Sequence, residues 1–212
     1  MPPKNVPTTL CAGFACPWHV GKLGLATKRA AVHVIVLTGL GRAFMAGGDV
    51  HAMHDALSEQ PTERKRQIGK LVRHAQLCVR TIVGSRKPVM SCVNGVAAGF
   101  GLSLTAACDV VIAAEHATFA SAYSRIGASS DSGSTFTLPQ ALGRRRAARW
   151  LYFAEQYSAT EALRTFRAPP RTGLEHLSAN QKWEWRATTG DAVPAYILAC
   201  AMPTIRWKFS LI

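Results

Sequence analysis

The sequence predicts an α/β fold, and three observations carry the prediction. AVHVIVLTG, residues 31–39, is an unbroken β-branched run ending in Thr-Gly, the pattern of a strand buried on both faces. VMSCV, 89–93, and DVVIAA, 109–114, repeat it. Between the first two runs, Ile68, Leu71, Val72, Ala75, Cys78, Val79 and Ile82 recur at helical spacing, with Arg64, Lys65, Lys70 and Arg73 outside that face. Strands alternating with helices define the class.

Residues 1–30 predict no element, because Cys11, Phe14, Trp18 and Leu23 show no clean period. LGRAFMAGGDV, 40–50, reads as a glycine-rich loop, and HAMHDAL begins a helical pattern. Pro61 is suited to opening the next helix, which Gly84 and Pro88 stop. Gly99 to Cys108 fits a short helix of small residues. ATFASAYSRIGASSDSGSTF is a polar, turn-rich connection, after which TLPQALGRRRAARWLYFAEQ returns to helix. The tail beyond Arg164 holds three of the five tryptophans and has no clear helical period.

Composition narrows the class of function. The 212 residues are 48% hydrophobic and 17% charged, a globular balance and not a disordered one. Six cysteines, at 11, 16, 78, 92, 108 and 200, form no C-x-x-C pair, and two of them lie in apolar runs. Free buried thiols in a reducing compartment are expected, and with them a cytoplasmic location. The first residues, MPPKNVPTTL, lack the apolar core of a secretory signal. Residues 89–108 are uncharged and long enough to cross a bilayer. Ser91, Asn94, Ser103 and three glycines make them too polar and breakable, so a buried strand, a turn and a packed helix are expected instead. Net charge is +13, with no acidic residue before Asp49 and an arginine cluster at 144, 145, 146 and 149. Such a balance suits a polyanion, or is solvated surface charge. No zinc finger, RNP-type aromatic motif or basic helix with interleaved aromatics occurs below residue 164, so nucleic acid is not the expected partner. Trp183 and Trp185 could stack bases, but burial is the expectation for them.

Two segments share one logic: VHVIVLTGLGRAFMAGGDVHAM and KPVMSCVNGVAAGFGLSLTAACD each run buried strand, small-residue turn, helix. Glycine lets backbone N–H groups approach a ligand closely. A helix starting there aims its positive end at the same place. One N–H from each turn could hold a single developing negative oxygen, an oxyanion hole.

At these residues the sequence resembles the crotonase (enoyl-CoA hydratase/isomerase) superfamily. FMAGGD, 44–49, resembles its F-x-A-G-x-D loop. VNGVAAGFGLSLTAACDVVIAAEHATFASAYSRIG, 93–127, resembles its second loop, helix and following strand. LGRRRAARWLYFAEQYSATEAL, 142–163, resembles the helix and S-A-x-E-A turn that follow. The resemblance covers about residues 31–164, leaving 1–30 and 165–212 as atypical ends. It implies β-β-α units wound into a superhelix, assembly as a homotrimer or hexamer, and an acyl-CoA thioester substrate. No separate cofactor and no metal are implied, since coenzyme A is part of the substrate. It also implies that the N–H groups of Gly48 and Phe100 polarise the thioester carbonyl, within a site that includes Ala46, Gly47, Asp49, His51 and Gly99. Family contacts to adenine map near Ala46, and the frequent basic residue after the loop is His51.

The hydratase glutamates of this family match Ser103 and Tyr123, neither of which is a carboxylate, so water addition is disfavoured. Another branch carries an acid in a P-D-x-G turn, here Ser130-Asp131-Ser132-Gly133 with the proline replaced. The resemblance therefore implies double-bond isomerisation with Asp131 as proton shuttle. On the residues alone, Asp131 also fits a turn aspartate bonding its own backbone. Tyr123 fits a substrate contact or rim packing, and Asp109 a structural role. Asp49, His51, His54 and Asp55 could suggest a metal, although a solvated helix surface suits them better. The ends depart from the family: no L-N-R-P-x-x-N-A-L type segment precedes residue 31, and no G-L-V-x-x-V-V strand follows Arg164. Both ends read as a different frame or a fusion. A catalytically impaired or non-enzymatic member that binds CoA thioesters or polyanions stays open as the alternative.

Overall fold

A computed structural model describes residues 17–39, 41–48, 50–166, 183–186 and 192–199. After helix α1 (Pro17–Lys28), the chain repeats one unit three times. The first unit is β1 (Ile35–Thr38), β2 (Ala43–Met45), then α2 (Val50–Asp55) and α3 (Pro61–Val83). The second is β3 (Val89–Val93), β4 (Val96–Ala98) and α4 (Phe100–Ala107). The third is β5 (Val110–Ala114), β6 (Thr118–Ala120), a 3-10 turn (Tyr123–Ile126) and α5 (Ser134–Leu142). α6 (Arg144–Tyr152), β7 (Gln156–Ser158) and α7 (Ala159–Thr165) follow, then β8 (Trp183–Arg186) and β9 (Ala192–Ala199).

Each unit gives one strand to each of two sheets. One sheet has the order β1-β3-β5-β9-β8, the other β2-β4-β6-β7. The strands from the three units are parallel within each sheet, Ile35 facing Val89 and Met90 facing Val110. β7, β8 and β9 join antiparallel. This is the predicted α/β superhelix of β-β-α units.

The three apolar runs form strands as expected, although the first is regular only over 35–38. Pro61 opens α3 and Gly84 ends it. The helix expected over 137–156 is two helices broken at Gly143, whose φ of +79° no helix continues through; the second stops at Tyr152, and Gln156 already belongs to β7. The polar connection after β5 contains a strand, β6, and the glycine loops contain β2 and β4. α1 forms where no period was visible, and Leu23 reaches the core at 1% exposure.

The core between the sheets and helices holds Leu37, Val89, Val93, Leu104, Phe119 and Leu138. Trp150 of α6 stacks on Tyr157 with centroids 4.0 Å apart and meets Phe166 edge-on at 5.4 Å. The Ser158–Glu161 motif closes a capping box: Glu161 N–H donates to Ser158 Oγ at 3.3 Å, and Ser158 N–H donates to the Glu161 carboxylate at 2.8 Å. Cys78, Cys92 and Cys108 are buried free thiols. Cys11, Cys16 and Cys200 lie outside the described residues. No helix among the described residues is long and apolar enough to cross a membrane.

Candidate active site

β2 ends at Met45, and the chain turns through Ala46, Gly47 and Gly48 toward α2. Gly47 has φ +113°, a conformation side chains disfavour. β4 ends at Ala98, and Gly99, at φ +54°, turns the chain into α4. A Cβ on Gly99 would lie 3.5 Å from Gly47 Cα, so the two turns are in contact. Gly99 N–H donates to Ala120 O at 2.9 Å, which ties the second turn to β6. The donor implied for catalysis is the next residue, Phe100, which opens α4 and buries its ring. Helix α4 is buried along its whole length, and its dipole makes its start electropositive.

Asn94 joins the loops from behind. Gly39 N–H donates to Asn94 Oδ1 at 3.0 Å, and Asn94 Nδ2 donates to Gly41 O at 2.8 Å. A Cβ on Gly95 would sit 2.0 Å from Arg42 O, so the backbones pass at closest approach there.

Asp131 lies on the stretch leading into α5. Gln76 of α3 donates to its backbone oxygen at 3.1 Å, and Ser132 Oγ donates to its Oδ1 at 2.8 Å. Ser130 and Ser134 share a short hydroxyl contact. Gly133 adopts φ +80° against Val79 of α3.

Tyr123 begins the 3-10 turn behind Ala122, a non-glycine residue at φ +62°. Its hydroxyl oxygen is buried and no hydrogen bond of ordinary geometry closes on it. Burial is the main cause that holds its pKa above the ordinary tyrosine value. Ser103, Asp131 and Ser132 also act on it, the Asp131 charge in the same direction as burial. Ser103 is fully buried on α4, and its Oγ leans toward Gly99 O at 3.4 Å. Ser103 of α4 and Asp131 of the stretch before α5 thus both act on the phenol of Tyr123.

Asp49 lies outside the described residues, and of His51 only the backbone, in α2, is described. The same holds for the indoles of Trp183 and Trp185, whose strand alone is described. His54 and Asp55 stand 3.8 Å apart on the surface, their side chains over 80% exposed at 81% and 84%. No group of three metal-ligating side chains occurs among the described residues. Asp109 Oδ2 accepts from Val89 N–H at 2.8 Å, while Asp109 N–H donates to Val89 O at 2.9 Å. It ties the start of β3 to the start of β5, a structural task. Arg149 pairs with Glu155 through two bonds at 2.9 and 3.1 Å, on the surface.

The sequence reading missed Asn94, Gln76 and Ser132. The Asn-Gly pair at 94–95 marked only a turn, and nothing local linked it to Gly39, 55 residues earlier. Ser132 was legible as the neighbour of Asp131 in a Ser-Asp-Ser-Gly string.

The model of the enoyl-CoA hydratase/isomerase family matches residues 23–166. The chain is 36% identical over 184 residues to a protein of Rhodobacter capsulatus named "Probable enoyl-CoA hydratase", covering 85% of this chain and 66% of that one. It is 39% identical over 132 residues to the 1,2-epoxyphenylacetyl-CoA isomerase of Escherichia coli, covering 62% and 49%. The crystal structure of an enoyl-CoA hydratase from Polaromonas sp. JS666 superposes with a TM-score of 0.58 at 34% identity, covering 66% of this chain and 53% of that one. The chain belongs to the enoyl-CoA hydratase/isomerase family. It spans between about half and two thirds of the length of these relatives.

Proposed function

We propose that this protein acts on an enoyl-CoA thioester and moves its double bond, with Asp131 as the proton shuttle. One observation carries the reading. Of the three positions where this family's resemblance implies proton transfer, Ser103, Tyr123 and Asp131, only Asp131 bears a carboxylate. The Asp131 carboxylate takes a proton from the carbon beside the thioester carbonyl of a 3-enoyl group. The electron pair moves into the carbonyl, whose oxygen becomes anionic. The N–H groups of Gly48 and Phe100 stabilise that oxygen, each such donor being worth about 10²–10³ in rate. The electrons return through the conjugated chain, and the carbon two bonds further out takes the proton back from Asp131. The product is a 2-enoyl thioester, and no water or cofactor is consumed. Ala46, Gly47 and His51 are proposed to face the coenzyme A portion, and a homotrimer or hexamer in the cytoplasm is the proposed setting.

A second reading, thioester binding without turnover, is favoured by the loss of both carboxylates at 103 and 123. Calorimetry with an acyl-CoA and turnover of a 3-enoyl-CoA decide between the two. The isomerase reading expects saturable binding in both the protein and its Asp131→Asn variant, with turnover lost only in the variant. Equal turnover by both would remove Asp131 from the mechanism. Binding with no turnover by either favours the second reading.

A further inference from the structure

The stretch that carries Asp131 is docked on α3 at two points. Gln76 Nε2 donates to the Asp131 backbone oxygen at 3.1 Å, and a Cβ on Gly133 would lie 3.2 Å from Val79 Cγ1. Gly133 O then accepts from Phe136 N–H at 2.9 Å and from Thr137 N–H at 3.0 Å, which runs the backbone directly into α5. The same helix reaches the other half of the site, since a Cβ on Gly48 would lie 3.8 Å from Leu71 Cδ2. Leu71 and Gln76 are separated by about 7.5 Å of helix rise. α3 therefore sets the distance between the Gly48 turn and the backbone of Asp131. What a docked backbone leaves free is rotation of the Asp131 side chain. Ser132 Oγ donates to Asp131 Oδ1 at 2.8 Å, and Ser132 is 1% exposed. A hydroxyl so buried has little access to water as a substitute partner, and a hydrogen bond to a charged group is the strong kind.

We propose that Ser132 is a positioning residue for Asp131: its hydroxyl holds one carboxylate oxygen and leaves the other to carry the proton. The consequence in turnover rests on the isomerase reading; the hold itself does not. A shuttle must meet two carbons in turn from one place. A carboxylate locked in one rotamer starts each transfer already aimed, and a freely turning one does not. The hold also gives the two oxygens different tasks. The free oxygen takes the proton from the carbon beside the carbonyl and returns it two bonds further out, while Ser132 keeps its own proton throughout.

Ser132→Ala removes the hydroxyl and leaves the turn its small buried side chain. The first readout is the rotamer itself. With the chain labelled at aspartate, the Hα–Hβ couplings of Asp131 are assigned by their loss in Asp131→Asn and report its χ1. One dominant rotamer in the parent and averaged couplings in Ser132→Ala are expected. Averaged couplings in the parent, or couplings unchanged in the variant, overturn the proposal. The second readout is kinetic. With a 3-enoyl-CoA, Ser132→Ala is expected to lower kcat roughly 10- to 100-fold, the range of one hydrogen bond to a charged group, with KM and the calorimetric affinity for an acyl-CoA nearly unchanged. A serine that only packed the turn would change the urea midpoint and leave kcat intact, so full kcat in the variant overturns the positioning role. A parent without turnover that still loses its single rotamer in Ser132→Ala sinks the isomerase reading and supports the hold.

Discussion

A Cβ on Gly101 would sit 2.1 Å from the backbone oxygen of Met45. β2 and α4 therefore meet backbone to backbone, and this contact sets the spacing of the two glycine turns. The obstacle is main chain and cannot swing aside. Gly101→Ala is expected to lower stability by about 1–3 kcal/mol, the usual cost of overpacking. Gly24 is the contrast: it lies inside α1 with nothing within 4 Å of an added Cβ. Gly24→Ala should raise stability by about 0.5–1 kcal/mol through helix propensity. Urea denaturation of both variants beside the parent checks the pair. A Gly101→Ala protein as stable as the parent would mean the turns are not spaced by this contact.

Asn94 should tolerate no isostere. Its oxygen accepts from Gly39 N–H and its amide nitrogen donates to Gly41 O, so both ends of the amide are specified. Asn94→Asp keeps the size but sets an oxygen against the Gly41 carbonyl. A loss of about 0.5–1.5 kcal/mol is expected, the net worth of a hydrogen bond whose acceptor is exposed and can turn to water. Hydrogen exchange at the Gly39 amide should quicken in the same variant. Unchanged exchange there would show that the loop is held by something else.

The long-range half of this fold was the illegible half. The strands of the first sheet, such as VMSCV, are β-branched and buried on both faces, and they announce themselves. The strands of the second sheet are three residues each, as in Val96–Ala98 or Thr118–Ala120, too short for any period. They exist because parallel neighbours pair with them, a non-local cause. α1 was missed for a related reason: its apolar residues follow no stripe, and among its described side chains Leu23 is buried in the core with Ala26 packed against it. At the site, the glycine turns and Asp131 were legible because rare residue types stood in a recognisable order. Asn94 and Gln76 were not, because their partners are backbone atoms of distant segments that a sequence does not display.

Asp109 gives a pH prediction with a definite sign. Burial is the largest influence and holds its carboxyl above the ordinary value, more strongly than the backbone hydrogen bonds pull it down. A raised carboxyl binds its proton more tightly folded than unfolded. Its contribution to stability is therefore present at acid pH, below the unfolded value near 3.8, and is lost as pH rises through the folded value. Asp109→Asn keeps an acceptor for Val89 N–H and carries no charge. Relative to that variant, the parent should lose stability as the pH is raised from acid toward neutral. Parallel curves of denaturation midpoint against pH for the two proteins would sink the idea.

The buried thiols set the opposite end of the pH range. Desolvation pushes Cys78 up to about 12 and Cys92 to about 11, from an ordinary 9.0. An unfolded chain releases these protons near the ordinary value, and the folded chain retains them. The stability they contribute is complete below pH 9 and is lost as pH climbs toward 11–12, at up to about 1.4 kcal/mol per pH unit per thiol. Cys92→Ala should flatten that decline in urea midpoints above pH 9. The same burial predicts slow chemistry, because the thiolate is the reactive form. At pH 8 a disulfide-exchange reagent should label Cys78 and Cys92 no faster than the fold opens, with each site followed by peptide mass spectrometry. Labelling of Cys78 at the rate of a free exposed thiol would place it at the surface, and the packing of α3 against the core would have to be redrawn.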